Sequence, residues 1–275
     1  MIETRHTSTI EQALTQTLSR AAFGDRPGSW PLPSATTPRQ VWLRAVAAGG
    51  QGRYARAFAD LAVLRGRVPA GPLASLAHST HASFLRQLGW HTLARGWDGR
   101  ALALAGSDPE AGADALIGLA ADALGVGRFA LAATLLARAE AVPVPERLAV
   151  RRRWVAAELA MATGDGESAV RNAEHAVELA GSMTVVSARH RVKSDVVLAA
   201  ALCSSGASDR ARAVAQAALT DTGRFGLIPL RWALACLLID IGSDTIPAQQ
   251  VRELTEIRDI CAGQVRRAGG SWRTA

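Results

Sequence analysis

The sequence predicts an all-α, right-handed α-solenoid of helical hairpins. Three observations carry that expectation: a small-residue pattern recurring at a helical-hairpin period, a glycine at a constant place in each copy, and a near absence of strand signals. The pattern is an Ala, a Gly seven residues later, an Ala five after that, and an Ala or Leu seven further on. It occurs as Ala45, Gly52, Ala57, Leu64; Ala82, Gly89, Ala94, Ala101; Ala120, Gly127, Ala132, Ala139; Ala157, Gly164, Ala169, Ala176; and Ala199, Gly206, Ala211, Ala218. A degraded sixth copy begins at Ala235 and Gly242, so the glycines fall 37, 38, 37, 42 and 36 residues apart. Alanine is abundant in this chain and each one alone says little. The glycine register sets the period.

Taken in order, residues 1–37 read as an N-terminal helix and a Pro-rich linker. Residues 9–23 place Ile10, Leu14, Leu18 and Ala21 on one helical side, and residues 24–38 hold four prolines. This segment either docks on the first hairpin or swings free. Residues 38–270 read as five repeats plus a C-terminal capping hairpin. The third unit shows the logic: residues 113–124 and 129–141 are apolar helical stretches, and Gly127 stands between them, where the chain must reverse within a few residues at positive φ. Ala120 is expected to face Ala132 across the hairpin, and Ala139 to seat the next unit. Each unit is expected to end at a breaker: Pro69, Gly106, Pro143 with Pro145, Gly181 and Gly223. Residues 228–241 are apolar nearly all round, with only Arg231 and Asp240 charged, so they need cover on more than one face. Residues 248–267 offer it through a stripe of Val251, Leu254, Ile257, Cys261 and Val265, with Arg252, Glu253, Glu256 and Asp259 outside.

The unit Trp42, Ala45, Gly52, Tyr54, Ala57, Leu61, Leu64, Pro69 resembles the tetratricopeptide repeat, with that family's small, aromatic and Pro positions in order. The resemblance covers roughly residues 38–268. Other units carry His91, Phe129, Gly166 and Ser208 where Tyr54 stands, and their connections are longer than the family's unit of about 34 residues. The resemblance implies a fold and a concave groove, not a chemistry. In such stacks the first helix of each hairpin lines the groove. The aligned positions are Trp42 and Val46; Ser79 and Ser83; Ile117 and Ala121; Trp154 and Glu158; Val196 and Ala200; Trp232 and Cys236. One turn back adds Arg39, Asp114, Arg151, Arg189 and Lys193, and one turn forward adds Arg86. The partner-binding set this implies is Arg39, Trp42, Arg86, Arg151, Trp154, Arg189, Lys193 and Trp232. Aromatics interleaved with cations suit an extended peptide with carboxylates, or single-stranded nucleic acid. For each Trp the alternative is interhelix packing, because a one-residue change of register turns it inward. For residues 151–153 and 189–193 the alternative is an ordinary solvated face. As groove residues acting on the partner rather than on the fold, Arg151 and Lys193 are expected to be exposed, and charge reversal at either to change stability by only about 0.5 kcal/mol.

Composition fits one elongated domain. At 275 residues and 49% hydrophobic content the chain buries a continuous core, and its formal charge is +7. Lys193 is the one lysine among 31 Lys and Arg residues, so the basic balance rests on Arg; it favours an acidic partner or nucleic acid, with a bias of the coding genome toward Arg and Ala as the alternative. Residues 1–12 hold no apolar core of signal-peptide length, and no run reaches the length of a membrane span. Cys203, Cys236 and Cys261 lie in apolar helical stretches and fit buried thiols, so the expected location is the cytoplasm.

Motifs for chemistry are thin. Residues 50–55 and 125–130 match Gly-x-Gly-x-x-Ala, but neither follows a strand and both fall on hairpin turns. His78 and His81, three apart on one helix, could share a metal with His91, but no carboxylate or Cys joins them at ligand spacing, so they read as packing or groove-lining histidines. Asp108 with Glu110, and Asp165 with Glu167, sit where helices start and read as caps. The expectation is a non-catalytic module without cofactor or metal that holds a protein or peptide bearing acidic groups. A transcription-related regulator acting through nucleic acid or a DNA-binding partner is the second reading, and an enzyme on a repeat scaffold the third.

Overall fold

The computed structural model describes residues 2–141, 144–242 and 247–273, and among these it is helical without strands. The elements are α1 (Ile2–Phe23), α2 (Pro38–Gly50), α3 (Tyr54–Arg67), α4 (Pro72–Gln87), α5 (His91–Leu104), α6 (Pro109–Gly125), α7 (Phe129–Glu140), α8 (Glu146–Ala162), α9 (Gly166–Ser182), α10 (Ala188–Ser204), α11 (Ser208–Phe225), α12 (Ile228–Gly242) and α13 (Ala248–Arg267). No helix of the described residues is long and apolar enough to cross a membrane.

Helices pack with their chain neighbours as hairpins, from α2 with α3 to α12 with α13. The even-numbered helices also touch one another in sequence, α2 to α4, α6, α8, α10 and α12, whereas the odd-numbered helices from α3 to α11 make no comparable contacts among themselves. An array whose one row is closely packed and whose other row is spread must curve toward the close row. The even helices therefore form its inner wall.

Small residues make that packing possible. Ala45, Ala57, Ala82, Ala94, Ala120, Ala132, Ala157, Ala169, Ala199 and Ala211 are all fully buried, so helix backbones meet where a larger side chain would hold them apart. Ala120, Ala132 and Ala139 share one core cluster, as the hairpin reading requires. At the turn between α6 and α7, Gly127 has φ of 75°; its N–H donates to the Leu124 carbonyl and the Arg128 N–H to the Ala123 carbonyl, closing the helix end. Gly52, Gly89, Gly164 and Gly206 hold the same conformation at the same place, and Gly242 is the last helical residue of α12.

Starts are capped as the sequence suggests. Asp108 accepts from the Ala111 N–H at 2.8 Å and Asp165 from the Ser168 N–H at 2.9 Å. Thr37 and Gln40 form a reciprocal capping box at α2. Gly181 is the penultimate residue of α9, and one expected breaker does not break: Gly223 lies within α11, which ends at Gly226 in the left-handed conformation instead. A lone glycine costs about 1 kcal/mol in a helix, which tertiary packing overrides. Pro143 lies outside the described residues; Pro145 does stand just before α8.

Both ends of the chain brace the array. α1 packs along α2, where the Gln40 side chain donates to the Glu11 carbonyl at 3.2 Å and to Thr15 at 3.0 Å. The linker then crosses to the far hairpins: the Ala188 N–H donates to the Gly24 carbonyl at 3.1 Å, and Gly28 lies against the backbone at Phe225, where a methyl group would find no room. α13 covers α12 through buried Leu254, Cys261 and Val265, while Val251 and Ile257 are half-buried. Past α13 the chain returns to the first hairpins, with Ala55 N–H on the Ala268 carbonyl at 2.8 Å, Arg273 N–H on the Leu88 carbonyl at 2.9 Å and the Trp90 indole N–H on the Ser271 carbonyl at 2.7 Å. First and last units are thereby tied together around a central space.

Candidate binding cavity

That space is a cavity of about 340 Å³ bounded by every even helix from α2 to α12 and by Phe23 at the end of α1. Helices α2 to α8 meet it at the same aligned pair of positions, and the level shifts at α10 and α12. α2 contributes Trp42, Val46 and Gly50, and α4 contributes Ser79, Thr80, Ser83 and Arg86. α6 gives Asp114, Ile117 and Ala121; α8 gives Arg147, Arg151, Trp154 and Glu158. α10 and α12 present only their first turns, Arg189, His190 and Lys193, then Pro229 and Leu230. Val196, Ala200, Trp232 and Cys236, aligned with the lining by register, lie deeper along α10 and α12 and do not reach it. A repeat alignment assumes that every unit meets the groove at one level, and the tied ends of this array displace the last units.

One wall is aromatic and joins four helices. The Trp42 ring is 5.4 Å from Phe23, Phe23 is 6.4 Å from His190, and His190 stacks on Trp154 at 5.3 Å and 25°. Each indole is pinned by its N–H, Trp42 to Thr80 at 2.9 Å and Trp154 to Ser194 at 2.8 Å. Trp42 is only 2% exposed, so it serves packing as well as lining. Burial holds His190 well below its ordinary pKa, with Arg189, Arg147 and Arg151 adding repulsion, and its ring is neutral at pH 7.

Charge is the second feature. Five cations, Arg86, Arg147, Arg151, Arg189 and Lys193, line the cavity with two anions, Asp114 and Glu158. Most are paired. Arg151 pairs with Asp114, Lys193 with Glu158 at 3.3 Å and Arg147 with Glu110 at 2.5 Å. Arg151 stays charged at pH 7 although burial, and then neighbouring Arg86, lower it to about 10. Arg86 bridges Asp98 and, at 3.0 Å, Asp122, both fully buried; the two carboxylates outweigh the cost of burial and raise its pKa. Burial pushes Asp98 up to about 7 and raises Asp122, even against the pull of Arg86.

Arg189 differs from the others. It forms no ion pair and no hydrogen bond among the described residues, and its guanidinium lies against the backbone of Gly50. Burial lowers its pKa. Three polar atoms of the lining are buried without a hydrogen-bond partner, Ser79 Oγ, Arg86 Nη2 and His91 Nδ1. Ser79 is only 3% exposed.

Of the residues expected to bind a partner, Trp42, Arg86, Arg151, Trp154, Arg189 and Lys193 line this cavity. Arg39 is exposed and lies outside the lining, 5.7 Å from the Trp42 ring. Trp232 is covered by Trp272 of the C-terminal segment, the rings 4.3 Å apart. Sequence reasoning missed Phe23, Arg147 and His190, and weighed His91 only as a packing or groove-lining histidine. His190 precedes Lys193 by three positions and so shares its side of α10, a signal available to a wider stripe; Phe23 enters only because the linker crosses the array. His78 and His81 pack on Trp97, with His91 on another helix, and no group of three or more His, Cys, Asp or Glu among the described residues is placed to hold a metal. The Gly-x-Gly-x-x-Ala segments are the α2–α3 and α6–α7 turns.

Neither a protein-family model nor a curated protein matches the chain.

Proposed function

We propose that this chain is a non-catalytic binding module, a right-handed solenoid of tetratricopeptide-like hairpins whose ligand enters the central cavity. The ligand is a short peptide segment or a comparably small acidic molecule. The single observation that carries the reading is a cavity of about 340 Å³ built by all six even helices and lined by an aromatic wall beside cations. That volume lies at the small end of ligand pockets and holds a side chain or two of a peptide rather than the surface of a folded domain. Aromatic rings held in place by their own hydrogen bonds supply contact area with little ordering cost. A location in the cytoplasm and a role as adaptor or regulator belong to the same proposal.

Nucleic acid is a weaker reading. The run Arg151–Arg153 would be its natural phosphate track, but Arg151 pairs with Asp114, and Arg152 and Arg153 each reach Glu140 at 3.4 Å.

The test is thermal stabilisation by a panel of short peptides and small carboxylic acids, run on the wild type and on Ala121→Phe. Ala121 lines the cavity without pairing to anything, so a phenyl ring there fills space and leaves the charges in place. Ligands that stabilise the wild type and not Ala121→Phe support the cavity as the binding site; ligands that stabilise both equally contradict it.

A further inference from the structure

Resting on the cavity reading, we propose that Arg189 is an anion subsite: it takes an oxyanion of the ligand, carboxylate or phosphoryl, as the counter-ion the protein does not supply. Arg86, Arg147, Arg151 and Lys193 each have a carboxylate partner, and Arg189 has none. Arg189 is half-buried on the cavity wall with no carboxylate paired to it, and its planar fork matches an oxyanion that can accept two hydrogen bonds at once.

The surroundings favour the same sign of ligand. Arg189 stands in the first turn of α10, where the helix dipole adds positive potential, and α12 likewise meets the cavity by its first turn. Gly50 leaves the guanidinium room on α2, and its neighbour His190 carries the aromatic stack with Trp154, so an anion held there would have an apolar face beside it. Ser79 Oγ, buried in the same lining and unpartnered, offers a second polar contact to whatever occupies the cavity.

The experiment uses the full chain and three probes at constant ionic strength: benzoate, its uncharged analogue benzamide, and inorganic phosphate. Binding is read by thermal shift and isothermal titration on the wild type and Arg189→Gln. The wild type is expected to bind benzoate or phosphate at least about tenfold more tightly than benzamide, and Arg189→Gln to lose that difference while still binding benzamide. A benzoate response identifies a carboxylate ligand, and a phosphate response a phosphoryl one. The apo form of Arg189→Gln is expected to melt no lower than the wild type, because the substitution removes an uncompensated charge; a clear drop would make Arg189 structural and overturn the proposal. Equal binding of benzoate and benzamide to the wild type, without phosphate binding, would overturn the anion subsite and leave the cavity reading standing. Anion binding that survives in Arg189→Gln would do the same. No binding of any probe to the wild type would overturn both.

Discussion

The guanidinium of Arg189 on α10 packs on Gly50 at the end of α2, so closely that a methyl group on Gly50 would stand 3.1 Å from Nη1. First and fifth hairpins thus meet through one cation and one missing side chain. Gly50→Ala is expected to push the guanidinium aside by a few tenths of an ångström. Thermal stability should change by no more than about 1 kcal/mol, since a flexible side chain yields, whereas anion binding should weaken severalfold. Paired melts and titrations check this; unchanged binding would show that the position of Arg189 is not set by Gly50.

Arg151 and Lys193 were both expected to be exposed groove residues that matter little to the fold, and the structure separates them. Arg151 pairs with Asp114, which is 4% exposed, while Lys193 and Glu158 leave about a third of their side chains to water, at 30% and 33%. Arg151→Glu sets two carboxylates together in the lining and should destabilise by about 3 kcal/mol. Lys193→Glu should cost about 0.5 kcal/mol. Denaturant melts measure both, and equal small effects would return Arg151 to the surface.

The Arg86 bridge gives a pH dependence whose sign follows from the raised carboxylates. A carboxyl whose folded pKa is raised from 3.8 to about 7, as at Asp98, contributes stability that is present below its unfolded pKa and lost as pH rises through the folded one. Removing the cation raises both carboxylates further. Arg86→Met should therefore be destabilised by about 3–5 kcal/mol at pH 8 and by clearly less at pH 5.5, where protonation relieves the pair. Chemical denaturation at the two pH values decides; an equal loss at both would mean that packing, not charge, is what Arg86 provides.

The C-terminal cover is the fourth case. Removing residues 247–275 exposes Leu234, Leu238 and the rest of the face of α12 that α13 covers, and also frees Trp232 and the turns at Ala55 and Leu88. The truncated chain should aggregate or dimerise, as judged by size-exclusion chromatography with light scattering. A monomer of unchanged melting temperature would show that α12 is covered from elsewhere.

Helices, turns and the inner wall were legible because the signals are local. A glycine such as Gly127 needs only its own backbone, and Ala120 or Ala132 needs only the partner helix of its hairpin. The lining was legible in the first four units, from Trp42 to Trp154, where each helix repeats its neighbour's level. It failed at Trp232 and Cys236 because the closing contacts lie between residues far apart in the chain: Gly24 with Ala188, Trp232 with Trp272, Leu88 with Arg273. No period reports such contacts. The partners of Arg86 were hidden for the same reason, since Asp98 and Asp122 stand on two further helices.

The central claim is that the cavity inside the even helices is where this chain binds its ligand. Isothermal titration of the tightest-binding member of the peptide and acid panel against wild type and Ala121→Phe tests it most directly, provided that both proteins melt alike. The account predicts a loss of at least about tenfold in affinity when the phenyl ring occupies the cavity, or about 1.4 kcal/mol. Affinity unchanged in Ala121→Phe would place the site on another surface and contradict it.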